Sequence, residues 1–251
     1  MEKNELITNL KAGKTECMTF GTHQKVKKAT DLVISYKSKS INSTTKYKYL
    51  GVNLDPSLRL SDHCSITYKK ACGRLYLLQR LRPHLTMEAA LAIYQTMLLP
   101  LFTYCSIITL QTSNTYKRKI QSFEERAHKI IKPATVLPKI DEVTNKKVCI
   151  NMYKCLKGDT CEFFQDYFQL MRNNTRNNGQ LIRIPKIRLE SSKKAFFFYG
   201  ATAFNDLPLE TRSAQSLKDF LTTFPNQCSI HSKPHTFCPS SCLLRLYPMV
   251  F

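Results

Sequence analysis

DHCSITYKKACGRLYLLQRLRPHLTMEAALAIYQTMLLPLFTYC, residues 62–105, decides the fold class. On a helix from Asp62 to Leu81, the residues Tyr68, Ala71, Leu75 and Leu78 recur at spacings of three and four and form the face to be buried. Lys69, Gly73, Tyr76 and Arg80 make a second face at the same spacing. That face alternates cations with an aromatic ring and a residue lacking a side chain, so a phosphate backbone can approach closely and pair with Lys69 and Arg80. A solvated helix face has the same pattern. Thr86 is the expected N-cap of a helix through MEAALAIYQTMLL, with Glu88 in its first turn, and Pro100 is expected to kink or end it.

On the N-terminal side, TECMTF (15–20), DLVISY (31–36) and YKYLGVNL (47–54) are short and rich in β-branched and aromatic residues, and read as strands between Gly- or Lys-rich turns. On the C-terminal side a helix is expected from Tyr116 to Ile131, with Ile120, Phe123, Ala127 and Ile130 on one face and Glu125 paired with Lys129. Another spans Asn145 to Leu156. NNTRNNGQ, 173–180, lacks apolar periodicity and marks a boundary. Beyond it come a Pro-interrupted strand-like segment, LIRIPKIRLE, the aromatic run AFFFYG and a helix in SLKDFLTTF. The fold class expected is α+β, mainly α: a small antiparallel β region at 1–57, a helical bundle at 58–172, a small C-terminal α/β unit at 173–225 and a loose tail at 226–251.

The chain of 251 residues carries 38 Lys and Arg against 18 Asp and Glu, a formal charge of +20. The excess is +6, +3, +5 and +5 over successive fifties up to residue 200 and +1 beyond it, a distributed charge that favours polyanionic partners over small-molecule substrates. A basic but passive surface has the same composition. MEKNELITNL has acids and no apolar signal region, so an intracellular setting, cytoplasmic or nuclear, is expected, with the ten cysteines as thiols. The longest apolar run, residues 97–110, is too short to span a bilayer, and no membrane role is expected.

Collinear segments resemble the reverse transcriptases of non-LTR retrotransposons, the RNA-directed DNA polymerases of these transposable elements, downstream of their catalytic Asp pair. NELITNLKAGKTECMTFG (4–21) resembles the segment near the end of the palm, and YKYLGVNLD (47–55) the hairpin that grips the primer. Residues 62–105 are similar to the helical thumb. SFEERAHKII (122–131) and, weakly, AFFFYGATAFNDLPLETRSAQSLKDF (195–220) continue the series, with Phe204 where the family usually shows Trp. The resemblance implies that Lys14 lies beside the incoming triphosphate, and that Tyr49, Leu50 and Gly51 form the primer-contacting tip. A solvated lysine and a plain β-turn glycine are the structural alternatives for Lys14 and Gly51.

Nucleotidyl transfer in this family uses two Mg²⁺ ions held by clustered carboxylates, from a Tyr-x-Asp-Asp hairpin and a further Asp. No Asp-Asp pair occurs in this sequence, and the acids present, among them Asp55, Asp62, Asp141 and Glu142, are dispersed. The expectation is a reverse transcriptase remnant without catalytic residues or cofactor, not an enzyme as this chain, that binds RNA or an RNA–DNA hybrid at most. One alternative is a piece of a longer, active polymerase. Another is a helical interaction protein with Lys69, Tyr76 and Arg80 scattered or occluded. Cys228, His231, His235, Cys238 and Cys242 are dense in soft ligands, but their spacing lacks the middle segment of common zinc fingers, and a loose tail is expected there.

Overall fold

The computed structural model describes residues 14–28, 34–36, 39–109, 113–134, 136–165, 167–171, 181–187, 190–193 and 195–225. Among these the chain is mainly helical with small sheets, the class expected. The boundary segment 173–180 and the Cys/His tail lie outside the described residues.

The strands are β1 (Glu16–Cys17), β2 (Ile34–Tyr36), β3 (Lys39–Ser43), β4 (Tyr47–Tyr49) and β5 (Val52–Leu54), and a short helix α1 (His23–Lys28) follows β1. β2 and β3 pair antiparallel, with Ile34 opposite Ile41, and so do β4 and β5, with Tyr49 opposite Val52. The β region is not wholly antiparallel, however: β1 runs parallel to β3, Glu16 opposite Asn42. KSINS, read as part of a turn, is the central strand of that sheet, because pairing on both edges outweighs its weak intrinsic pattern. YKYLGVNL is not one strand but a hairpin, since Leu50 and Gly51 both take positive φ, 44° and 84°. Two such residues make the tight turn whose twist matches antiparallel strands.

Contacts group the described residues into two units: those of Met1–Cys105 with Thr112–Pro133, and those of Ser106–Gln111 with Ala134–Phe251. This differs from the division expected near residue 173. Helix α7 (Ile140–Lys157), assigned from sequence to the bundle, shares its core with the C-terminal helices instead.

In the first unit, α2 (Ser61–Leu81) buries Cys64, Thr67, Ala71, Leu75 and Leu78; Tyr68 is only half-buried. It packs against α4 (Leu99–Thr103) and α6 (Asn114–Ile131). Each leucine so removed from water contributes roughly 1.5–3 kcal/mol. Thr86 caps α3 (Met87–Ile93) as expected, its hydroxyl accepting from Ala89 N at 3.2 Å. Pro100 neither ends the helical path nor breaks it sharply. Residues Tyr94–Leu98 widen into a π turn, with Leu99 N donating to Tyr94 O, and α4 begins with Pro100 in its first turn, where a missing N–H costs nothing. α6 starts at Ser113, whose hydroxyl accepts from Tyr116 N, and buries Tyr116, Phe123, Ala127 and Ile131 rather than Ile120 and Ile130. Glu125 accepts from Gln121 in place of the expected pair with Lys129.

In the second unit, which begins with the short helix α5 (Ser106–Thr109), α7 ends on Gly158 at φ 82°. Asp159 N donates to Lys154 O there, the paired closure that uses up the last carbonyls. α8 (Glu162–Gln165), α9 (Glu190–Lys193), α10 (Phe196–Asn205), α11 (Leu209–Arg212) and α12 (Leu217–Thr223) complete it. Phe204 and Phe220 stack in parallel at 6.3 Å, and Gly200 lets α10 approach α7: a Cβ there would lie 2.7 Å from Met152 Sδ. LIRIPKIRLE makes one isolated bridge, Leu170 with Ile182, and no longer strand among the described residues, so the described part of the C-terminal unit is mainly helical. The side chain of Asn205 takes the place of a neighbouring strand, donating to Ile182 O at 2.9 Å and accepting from Ile182 N at 2.8 Å.

Candidate nucleic-acid interface

Successive helical residues turn by about 100°, so Lys69, Gly73, Tyr76 and Arg80 lie on the side of α2 opposite Ala71, Leu75 and Leu78. All four are exposed, Tyr76 to 55%. The stripe extends roughly 16 Å along the axis, and a duplex carries about one phosphate charge per 1.7 Å, so both end cations can meet phosphates together. After Asp62 the helix contains no acid. Of its cations, Arg74 is committed to Met97 O at 2.7 Å. Arg82, just beyond the helix, closes the C-terminal end of α6 by donating to Ile131 O. Among the described residues no hydrogen bond or ion pair holds Lys69, Lys70 or Arg80.

Gly73 has no packing reason to be there. A Cβ at this position would meet no atom within 4 Å, yet glycine inside a helix costs about 1 kcal/mol relative to alanine. What the residue does provide is bare helix backbone between Lys69 and Tyr76.

The hairpin stands at the N-terminal end of the same stripe. Asp62, which falls on the Lys69–Arg80 side of α2, pairs with Lys46 at 2.8 Å just before β4, an exposed pair with little energetic weight. More firmly, Val52 is buried with Leu60, Cys64 and Tyr116, and His63 Nδ1 accepts from Asn53 N at 3.5 Å. That acceptor role needs a neutral ring, and burial together with the charge of Lys70 lowers the pKa of His63. Between β5 and α2, Asp55 holds the chain in place. Partial burial opposes its charge, but the Ser57 hydroxyl and the Leu60 and Arg59 amides outweigh that and keep its carboxyl below the usual value.

At the tip, Tyr49 is 59% and Leu50 71% exposed. Leucine in the left-handed region costs roughly 1–2 kcal/mol, and an exposed side chain recovers none of it by burial. The tip is braced from behind. The Tyr104 hydroxyl donates to Leu50 O, and its ring lies 3.4 Å from where a Cβ of Gly51 would be. Tyr104, at the end of α4, has no spacing signal in the sequence that ties it to the hairpin.

Lys14 is exposed, two residues before β1, and shares no hydrogen bond or ion pair with the other candidate residues. The structure thus groups Tyr49, Leu50 and Gly51 on a braced tip and Lys69, Gly73, Tyr76 and Arg80 on one helix face, and it does not join Lys14 to either. Two cations escaped the sequence reading. Lys119 Nζ lies 5.8 Å from the centre of the Tyr68 ring, and Arg126 Nη1 lies 3.9 Å from Cys72 Sγ, so α6 adds positive charge along the flank of α2. Their spacing of seven on α6 was legible; the juxtaposition with α2 was not.

Among the described residues no three His, Cys, Asp or Glu side chains are grouped so as to hold a metal ion, and no helix is long and apolar enough to cross a membrane. Comparison with protein-family models, with curated proteins and with solved structures finds no match for this chain.

Proposed function

We propose that the chain is a nucleic-acid-binding piece of a retrotransposon reverse transcriptase. In this reading it holds RNA or an RNA–DNA hybrid against the outer face of α2 and the tip of the β4–β5 hairpin, and does not itself polymerise. The observation that carries the reading is Gly73: an unpacked glycine between exposed Lys69 and Arg80, whose cost to the helix a closely approaching ligand would offset. The exposed Leu50, held in a disfavoured conformation, supports the same reading. The absence of an Asp-Asp pair from the sequence supports binding without catalysis, since two-metal transfer needs clustered carboxylates. A setting inside the cell, cytoplasmic or nuclear, goes with it.

Exposure of Lys69, Tyr76 and Arg80 on a single face favours this over a purely helical interaction module, for which these residues would be scattered or occluded. The test is an anisotropy titration of a labelled RNA–DNA hybrid at two salt concentrations. Affinity should fall steeply with salt, and Lys69→Gln with Arg80→Gln should flatten the logarithmic slope by about 1.8, or 0.9 per lost phosphate contact. Salt-insensitive binding, or an unchanged slope in the double variant, would remove the proposed interface. Primer extension with added Mg²⁺ should yield no product.

A further inference from the structure

Between α3 and α4 the helical path is irregular, and the irregularity has a cost. Residues Tyr94–Leu98 form the π turn, with Leu99 N donating to Tyr94 O. Tyr94 is fully buried within it, and among the described residues its hydroxyl has no hydrogen-bond partner. A widened turn and an orphaned buried hydroxyl both cost free energy, and such features persist where the surroundings over-determine them.

The widened turn decides where α4 points its side chains. A regular α-helix through the same residues would rotate every later one by about 100° and shift it by about 1.5 Å along the axis. Tyr104, whose N donates to Pro100 O at 2.9 Å at the end of α4, would turn with them. In the register observed, its hydroxyl reaches Leu50 O and its ring backs Gly51. The π turn and the hairpin tip are thus joined through the single short helix α4.

A contact from outside holds that turn. Arg74 Nη1, on α2, donates at 2.7 Å to the carbonyl oxygen of Met97 within it. Pro100 explains why the path does not close as a regular helix, since its ring nitrogen has no hydrogen to give Thr96 O, but it does not tie the widened turn to α2. Arg74 does. We infer that Arg74 is a positioning residue for the hairpin tip: its grip on the Met97 carbonyl fixes the π turn, the placement of α4 and so the reach of Tyr104 to Leu50. The linkage is a property of the free protein within the first unit; its meaning for ligand binding rests on the reading of the tip as part of the nucleic-acid interface.

The test is nuclear magnetic resonance on the full chain without ligand. Arg74→Met keeps a long side chain and removes its donors. It should move the Leu50 carbonyl carbon toward the position it takes in Tyr104→Phe and speed amide exchange at Val52 severalfold. Exchange at Leu75 and Leu78, on the buried face of α2, should not change. Arg74→Lys retains a donor and should restore both signals. Adding Arg74→Met to Tyr104→Phe should change nothing further, since the guanidinium acts through the phenol. The inference is overturned by a Leu50 carbonyl that stays at its wild-type position in Arg74→Met, by Arg74→Lys behaving like Arg74→Met, by additive effects in the double variant, or by exchange that quickens equally throughout α2. Hybrid affinity, measured separately, bears on the interface alone: a loosened tip with wild-type affinity would remove the tip from that interface and leave the linkage standing.

Discussion

Two glycines inside helices, Gly73 of α2 and Gly200 of α10, occupy opposite surroundings. Around Gly200 a Cβ would meet Met152 Sδ at 2.7 Å, Met152 Cγ at 2.9 Å and Phe196 Cε2 at 3.2 Å; around Gly73 it would meet nothing within 4 Å. The first is a structural glycine, needed because α7 and α10 pack backbone to side chain. The second weakens its helix with no packing in return. The same contrast extends to polar groups. α7 turns them inward, Asn145 accepting from the Tyr199 hydroxyl at 2.5 Å and the Tyr153 hydroxyl donating to Ala214 O at 3.2 Å. α2 turns Lys69, Lys70, Tyr76 and Arg80 outward. A helix that satisfies itself is scaffold, and one that leaves charge and backbone open on one face is available for a ligand.

The largest effect that can break this contrast is at Gly200. Gly200→Val forces a Cβ and two methyl groups into space held by Met152, which is fully buried and must repack to admit them. Overpacking of this kind costs about 1–3 kcal/mol, to be read from urea unfolding followed by circular dichroism. Hybrid affinity of the folded fraction should not change. A variant as stable as wild type would mean that α7 and α10 are not in such close contact.

Gly73→Ala should act in the other direction on stability and selectively on binding. The helix gains about 0.5–1 kcal/mol, because alanine restricts the unfolded chain and the added methyl touches nothing. Affinity for the hybrid should fall severalfold, since the methyl stands where backbone is approached. Gain of stability with unchanged affinity would leave Gly73 without a function and take away the main support for the interface.

Leu50→Asn applies the same logic to the hairpin. Asn-Gly suits a turn with two positive φ values far better than Leu-Gly, so the variant should be more stable by up to about 1 kcal/mol. If the exposed leucine touches the bound strand, hybrid affinity falls as stability rises. Amide exchange at Gly51 and Val52 checks the first half and anisotropy the second. Improved stability without loss of affinity would show that only the shape of the tip matters.

How much of the fold and the interface is legible in the sequence depends on the range of the interaction. The helical face of Ala71, Leu75 and Leu78 and the Thr86 cap follow from local periodicity and local hydrogen bonding, and the exposed stripe of α2 follows as the complement of its core. KSINS was not legible as a strand, because its partners lie on two separate segments. Nor was the π turn before Pro100, where the chain has more than one way to accommodate a missing donor. α7 read as bundle because adjacency in sequence favoured it, whereas Gly200 and Asn205 commit it to the C-terminal helices. Within the candidate site, Lys69 through Arg80 are read from one helix, but Tyr104 behind the hairpin tip and Lys119 and Arg126 beside α2 need the tertiary structure.

The smallest expected effect separates the docking of the hairpin from the rest of the first unit. His63 accepts from Asn53 N only when neutral, and burial together with Lys70 lowers its folded pKa below the ordinary 6.5. Well above 6.5 the ring is neutral in both folded and unfolded states, and the contact makes its full contribution. As pH falls below that value the unfolded chain takes up the proton first, so stability declines until the folded ring is protonated too and the loss levels off. Asp55 adds its own loss only in a more acidic window, below its usual 3.8, because its folded carboxyl is held low. Melting temperature should therefore drop as pH falls through 6.5 in wild type, and His63→Leu should flatten that drop. The amide of Asn53, followed by nuclear magnetic resonance, should shift at lower pH than the onset of that decline, as the folded ring takes up its proton, if hairpin and helix are joined through this bond. A pH profile identical in His63→Leu and wild type would mean that Val52 and its buried neighbours hold the hairpin without help from the imidazole.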